Sequence, residues 1–287
     1  MKRLMFFSAV AGFSISVMAP HAQQPVFRST ADAEAVDVAV TESKRPVATL
    51  SLADFTIRDN GVAQTIAGFS YGSLPIDVHL FVDVSGSITP DQLARYDAAT
   101  RQLERALIGD DRYEVSTFAK RISQIVTLQP PPITVTFRRP ELDGTSFYDA
   151  ALLAMMTLAT PGRRTLTLLL TDGVDSNSFF DEAALGDAAK RSDSTVYALV
   201  AVDEKMPLQL QQRLQRVTSP TGGQLMTIAR GADIGASLAR AIGEFRQSYV
   251  LTYVPAGVPR DGWHTITVTT SKGKSHQVRA RQGYFGG

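Results

Sequence analysis

The 287-residue chain has no cysteine. That removes disulfides, thiolate metal sites, iron–sulfur clusters, cysteine nucleophiles and cysteine-linked lipid anchors. Histidine is scarce at four residues, so there is little material for imidazole catalysis or a histidine-based zinc site. No excess of one charge exists either. The 29 Lys and Arg face 28 Asp and Glu, and nothing in that balance points to nucleic acid or an anionic membrane surface. Past the leader region no apolar run approaches the roughly 20 residues of a spanning helix. No internal repeat or low-complexity tract is visible. What is present is globular in composition, 44% hydrophobic and 20% charged, and sufficient for a sizeable core.

Lys2 and Arg3 precede the uncharged apolar run Leu4 to Met18, and Ala19-Pro20-His21-Ala22 offers small residues at its exit. This is the pattern of a secretory signal peptide over 1–22. The run is shorter than a spanning helix needs. The expected protein is therefore exported, to a bacterial periplasm or exterior, with no stable membrane anchor after signal cleavage.

Residues 23–74 read as a β region. Val36 to Val40 and Phe55 to Arg58 alternate with period two, and Asn60-Gly61 signals a hairpin into Val62 to Ile66. The texture changes at Pro75. From there to 246, buried apolar strands alternate with helical segments, including Asp91 to Leu107, Ser146 to Ala159 and Ala232 to Phe245. Such alternation predicts a parallel sheet wrapped by helices. Residues 247–287 return to strands, at Tyr249 to Val254, Trp263 to Thr270 and Gln277 to Ala280. Either terminal β segment is small for a core of its own. The two are expected to pack together as one small discontinuous β-module.

Open α/β sheets bind ligands outside the carboxyl ends of their strands. Three polar segments are expected there: Asp83-Val84-Ser85-Gly86-Ser87, Leu142-Asp143-Gly144-Thr145-Ser146 and Thr171-Asp172-Gly173. They offer carboxylates and hydroxyls, with no imidazole or thiolate nearby in sequence. Hard oxygens suit Mg²⁺, Mn²⁺ or Ca²⁺ and disfavour zinc and copper. Three hydroxyls with only one or two direct carboxylates would leave positive charge uncompensated, and such a site would draw an anionic oxygen from outside.

Asp83-x-Ser85-x-Ser87, then Thr145, then Asp172 in Leu-Leu-Leu-Thr-Asp-Gly, resembles the metal-ion-dependent adhesion site (MIDAS) of von Willebrand factor A domains. The resemblance covers about Pro75 to Arg246. The wider layout resembles exported bacterial proteins related to that family. It implies a doubly wound, mostly parallel central sheet with helices on both faces and one antiparallel edge strand. It implies ion ligands at Asp83, Ser85, Ser87, Thr145 and Asp172, and a partner protein or peptide that supplies an exposed Asp or Glu. Asp143, Asp149 and Asp175 are neighbouring acids. They read first as helix caps or loop charges and second as supports for the ligands.

Three functions fit these readings. One is a non-catalytic binding module. A second is a metal-dependent hydrolase with Ser85 or Ser87 as nucleophile, although no Gly-x-Ser-x-Gly elbow surrounds Ser85 and His264 and His276 are remote in sequence. A third is an envelope-assembly scaffold in which a metal only stabilises the fold.

Overall fold

The computed structural model describes residues 33–141, 143–202, 206–229, 231–272 and 275–287. The leader expected over 1–22 lies outside them. The described chain opens with β1 (Glu34–Glu42), β2 (Arg45–Pro46), β3 (Phe55–Asp59), β4 (Val62–Gln64) and β5 (Ile66–Tyr71). β3 and β4 form the hairpin signalled by Asn60-Gly61. Both turn residues sit at positive φ, 46° and 82°, which Asn and Gly tolerate and bulkier residues do not.

The middle of the chain runs β6 (Ile76–Asp83), α1 (Pro90–Ala106), β7 (Arg112–Phe118), β8 (Ile122–Gln129), α2 (Phe147–Met155), β9 (Arg164–Leu170), α3 (Glu182–Arg191), β10 (Thr195–Val202), α4 (Leu208–Thr218), β11 (Gln224–Ala229) and α5 (Ile234–Arg246). Its six strands form one mixed sheet in the order β11-β10-β9-β6-β7-β8. Neighbours from β11 to β7 pair parallel, and β8 pairs antiparallel with β7 at the edge.

Every residue of β6 is buried because both faces of the strand are covered. Val78, Leu80 and Val82 join a core with Leu93 and Tyr96 of α1 and Leu238 and Ile242 of α5. Phe81 joins the opposite core with Phe147 of α2, Leu185 of α3 and Leu214 of α4. The polar residues of β6 are paired. His79 Nδ1 lies 2.7 Å from Glu114, and Asp77 accepts from Arg112 and Arg163, each at 2.6 Å. Burial alone would raise the Asp77 carboxyl, but the two guanidiniums overcome it and hold the group below the usual carboxylate range.

The helix expected over 146–159 is shorter. It ends at Met155, where the Met156 N–H already reaches back to the carbonyls of Leu152 and Leu153. Met156 and Leu158 are 64% and 86% exposed, so a further turn would have no core to cover.

After α5 come β12 (Tyr249–Tyr253), β13 (Gly262–Thr270), β14 (Gln277–Ala280) and β15 (Gly283–Gly286). The terminal strands build two antiparallel sheets. One has the order β14-β1-β12-β5, with β2 added to β1, and the other β15-β13-β3-β4. Val36, Val38, Ile57, Tyr249, Leu251, Ile266 and Tyr284 fill a common core. Arg164 of β9 ties this assembly to the central sheet. Its Nε donates to Asp37 at 2.6 Å, and its other arm donates to the Phe245 carbonyl and the Ser248 hydroxyl. Among the described residues no helix is long and apolar enough to cross a membrane.

Candidate functional site

From β6 the chain crosses through α1 to β7 on one side, and it later returns through α2 to β9 on the other. The carboxyl ends of β6 and β9 therefore flank the point where the winding reverses. In an open α/β sheet that crevice is where ligands sit. Asp83 ends β6, and Thr171-Asp172 follows β9.

Asp83 is fully buried. One of its oxygens accepts the Ser85 N–H at 3.0 Å, and the other accepts the Thr171 hydroxyl at 3.0 Å. The first bond folds Asp83-Val84-Ser85 into a tight turn that aims both serines back over the strand end. The Ser85 and Ser87 hydroxyls lie 3.2 Å apart, and Ser87 donates to Asp172 at 2.8 Å. The other Asp172 oxygen accepts the Val174 N–H at 3.0 Å. Four of the five expected ligands thus form one hydrogen-bonded chain running from the buried Asp83 carboxylate through Ser85 and the exposed Ser87 to the half-buried Asp172 carboxylate.

Thr145, the fifth, is buried and joined through the neighbouring loop. Its N–H is bonded by the Ser176 hydroxyl at 3.0 Å, and its carbonyl accepts the Ser176 and Asn177 N–H groups. The loop that begins at Asp172 therefore also holds Thr145. Asp143 approaches the serine turn from outside. A Cβ on Gly86 would stand 3.3 Å from its carboxylate, so the missing side chain leaves room for it. Asp149 and Asp175 act as loop braces. Asp149 accepts the N–H groups of Phe179 and Phe180 at 3.0 Å, and Asp175 accepts from Tyr148 N–H at 3.2 Å and the Ser178 hydroxyl at 2.5 Å.

Some contributors are not evident from the motif. Thr171 donates to Asp83 and accepts the Gly173 N–H at 2.9 Å, coupling the two strand ends. Its only signal in the sequence is a threonine next to the aspartate. Arg139 donates to the carbonyls of Gly86 and Ile88, and Arg213 to that of Gly173 at 3.1 Å. No spacing rule places these arginines there. Beside Ser87 and Asp172 a cleft of about 260 Å³ opens between α1 and the start of α5.

Burial pushes the Asp83 carboxyl up to about 6, hydrogen bonds from Ser85 pull the other way, and the nearby Asp172 charge adds to the rise. Among the described residues no ion pair engages Asp83 or Asp172, which is the electrostatic setting a cation would relieve. The donors are hard oxygens, and as a set they fit Mg²⁺, Mn²⁺ or Ca²⁺. Among the described residues no group of three or more His, Cys, Asp or Glu could hold a metal. An ion here would therefore depend on the hydroxyl oxygens.

No family model and no curated protein matches the chain. Among solved structures it is similar to a von Willebrand factor type A protein from Catenulispora acidiphila, at 10% identity and a TM-score of 0.49, over 90% of this chain and 75% of that one. It is similar to proximal thread matrix protein 1 of the mussel byssus with a zinc-occupied MIDAS motif, at 15% identity and a TM-score of 0.49, over 67% of this chain and 50% of that one. It is also similar to the manganese-loaded TRAP protein of Plasmodium vivax, at 15% identity and a TM-score of 0.45, over 80% of this chain and 98% of that one. None of these likenesses reaches a TM-score of 0.5, and any chemistry at the site rests on this chain's own side chains.

Proposed function

We propose that the chain is an exported, non-catalytic binding module that recognises an acidic group of a protein partner through a divalent ion. The ligands would be Asp83, Ser85, Ser87, Thr145 and Asp172, on a doubly wound, mostly parallel frame. Mg²⁺ is the expected ion, with Mn²⁺ and Ca²⁺ as alternatives of the same chemistry. The bound ion would supply a Lewis-acidic position for an outside carboxylate.

The observation that carries this reading is the Ser87–Asp172 hydrogen bond at 2.8 Å, which draws the turn after β6 and the turn after β9 to one place. The ligands that can carry charge are two aspartates, and the hydroxyls are neutral. Asp143 approaches the serine turn but is not among the five, so a third negative group on the ion would come from outside that set. The hydrolase reading has no imidazole at the site, since His264 is buried and engaged by Asp59 at 2.8 Å and His276 lies 3.3 Å from Thr270, both in the C-terminal segment.

The test is binding of an acidic peptide by the purified full chain in Mg²⁺, in EDTA, and after Asp172→Ala. Binding should require the metal and be lost in the variant, while Asn in place of the peptide's Asp should abolish it. Equal binding under all these conditions would sink the proposal.

A further inference from the structure

Residues 130–140, which follow β8, belong to no strand. They are nevertheless patterned like one. Val135 and Phe137 are buried in the core shared with α1, Ile133 packs against the same core, and Thr134, Thr136 and Arg138 are exposed. Two amides of the segment are met by α1 in place of a neighbouring strand. The Ile133 N–H donates to Glu104 at 2.7 Å, and the Phe137 N–H donates to Asp97 at 2.9 Å. Those two acids are about two helical turns apart and so lie on one face of α1. The Phe137 ring also meets Tyr96 edge-on at 5.9 Å. The segment thus runs antiparallel to α1. Its next residues arrive at the N-terminal end of the helix, where the serine turn lies.

Arg139 completes that path. One of its guanidinium nitrogens donates to the carbonyls of both Gly86 and Ile88, the second at 3.0 Å. These residues stand on either side of Ser87. The turn's own bonds do not hold those carbonyls. They join the Ser85 N–H to Asp83 and the Ile88 N–H to the Ser85 carbonyl, each at 3.0 Å. Gly86 and Ser87 are exposed, so packing does not fix them either. A Ser87 hydroxyl already held in place forfeits less conformational entropy when it takes an ion.

We propose that Arg139 is a positioning residue for the ion, holding the Ser85–Ser87 turn in its ligating shape by bridging the carbonyls of Gly86 and Ile88. This rests on the ion-mediated reading above. The charge of Arg139 works against a nearby cation, while its hydrogen bonds work for one. The two effects therefore differ in sign and can be separated. Asp143, which also approaches Gly86, is common to every variant below.

The test is Mn²⁺ binding by the full chain, read from the loss of the free-ion electron paramagnetic resonance signal, in the unaltered protein, Arg139→Gln and Arg139→Lys. Arg139→Gln should weaken binding about tenfold, the scale of removing a support from a metal ligand. Arg139→Lys should recover most of that loss, because a single ammonium can donate to both carbonyls. Melting curves in EDTA should coincide for all three proteins, since Arg139 is exposed and its removal opens no core. Unchanged or tighter Mn²⁺ binding by Arg139→Gln is the result expected of charge alone, and it overturns the proposal. So does a lysine variant as weak as the glutamine one. A fall in the EDTA melting temperature of Arg139→Gln that matches its loss of binding would make the residue a general brace, and overturns it too. In all three cases Mn²⁺ binding by the unaltered chain leaves the ion reading standing. No Mn²⁺ binding by the unaltered chain overturns both.

Discussion

Thr171 shows how much one hydroxyl can do where two strand ends meet. It donates to the buried Asp83 and accepts from Gly173, so one oxygen serves the turn after β6 and the turn after β9. Valine has the same shape and neither capability. Thr171→Val should therefore destabilise the chain by about 1–3 kcal/mol, the cost of stripping a partner from a buried polar group. Urea unfolding should show this as a lower midpoint with an unchanged slope, and Thr171→Ser should recover most of the loss. At this scale the sequence is informative about residue types and poor about neighbours. The motif picks out Asp83, Ser85, Ser87 and Asp172, which the structure joins by hydrogen bonds. The sequence does not disclose that Asp149 and Asp175 spend their oxygens on loop amides, or that Arg139 and Arg213 reach the same turns. Those partners lie tens of residues away, and only the completed fold selects them.

Among the elements, α1 is the one whose local rules agree best. Thr89 accepts the Gln92 N–H and Gln92 reaches back to the Thr89 N–H, with Pro90 as the first helical residue. The helix begins three residues past Ser87, and its cap residue Thr89 also fixes where the serine turn stops. Thr89→Ala should cost about 1 kcal/mol, visible as a lower melting temperature, and Thr89→Ser should be nearly neutral. Helix starts of this kind are written in adjacent residues and can be read directly. The end of α2 is not, because it depends on whether Met156 and Leu158 find a core, and they do not. The short strand β15 is likewise invisible locally. Gly283 to Gly286 has little strand character of its own and is extended because β13 pairs with it.

For the whole molecule, the decisive feature is the interleaving of the two ends. β1 lies between β12 and β14, and β13 lies between β15 and β3. Removing residues 247–287 would take partners from β1, β3 and β5 and uncover Val36, Val38 and Ile57. The truncated chain should be insoluble or lack a cooperative melting transition by circular dichroism. A soluble, cooperatively melting remainder would mean that the central sheet needs nothing from the tail. The alternation of strands and helices predicts the central layout well, since each unit is local. It does not reveal how the terminal strands divide into two sheets around their common core, because the register is set between residues at opposite ends of the chain.

That interleaving also imposes a timetable. The Tyr249 hydroxyl bonds the Val47 carbonyl across 202 residues, and β1 has its strand partners at a similar remove. At ribosomal speeds of about 5–20 residues per second, β1 waits roughly 10–40 s before its first long-range neighbour has been synthesised. For that interval its alternating valines form an open, adhesive edge. The last sheets to close are those holding the first described residues, so the fold stays unfinished until nearly its whole length has emerged.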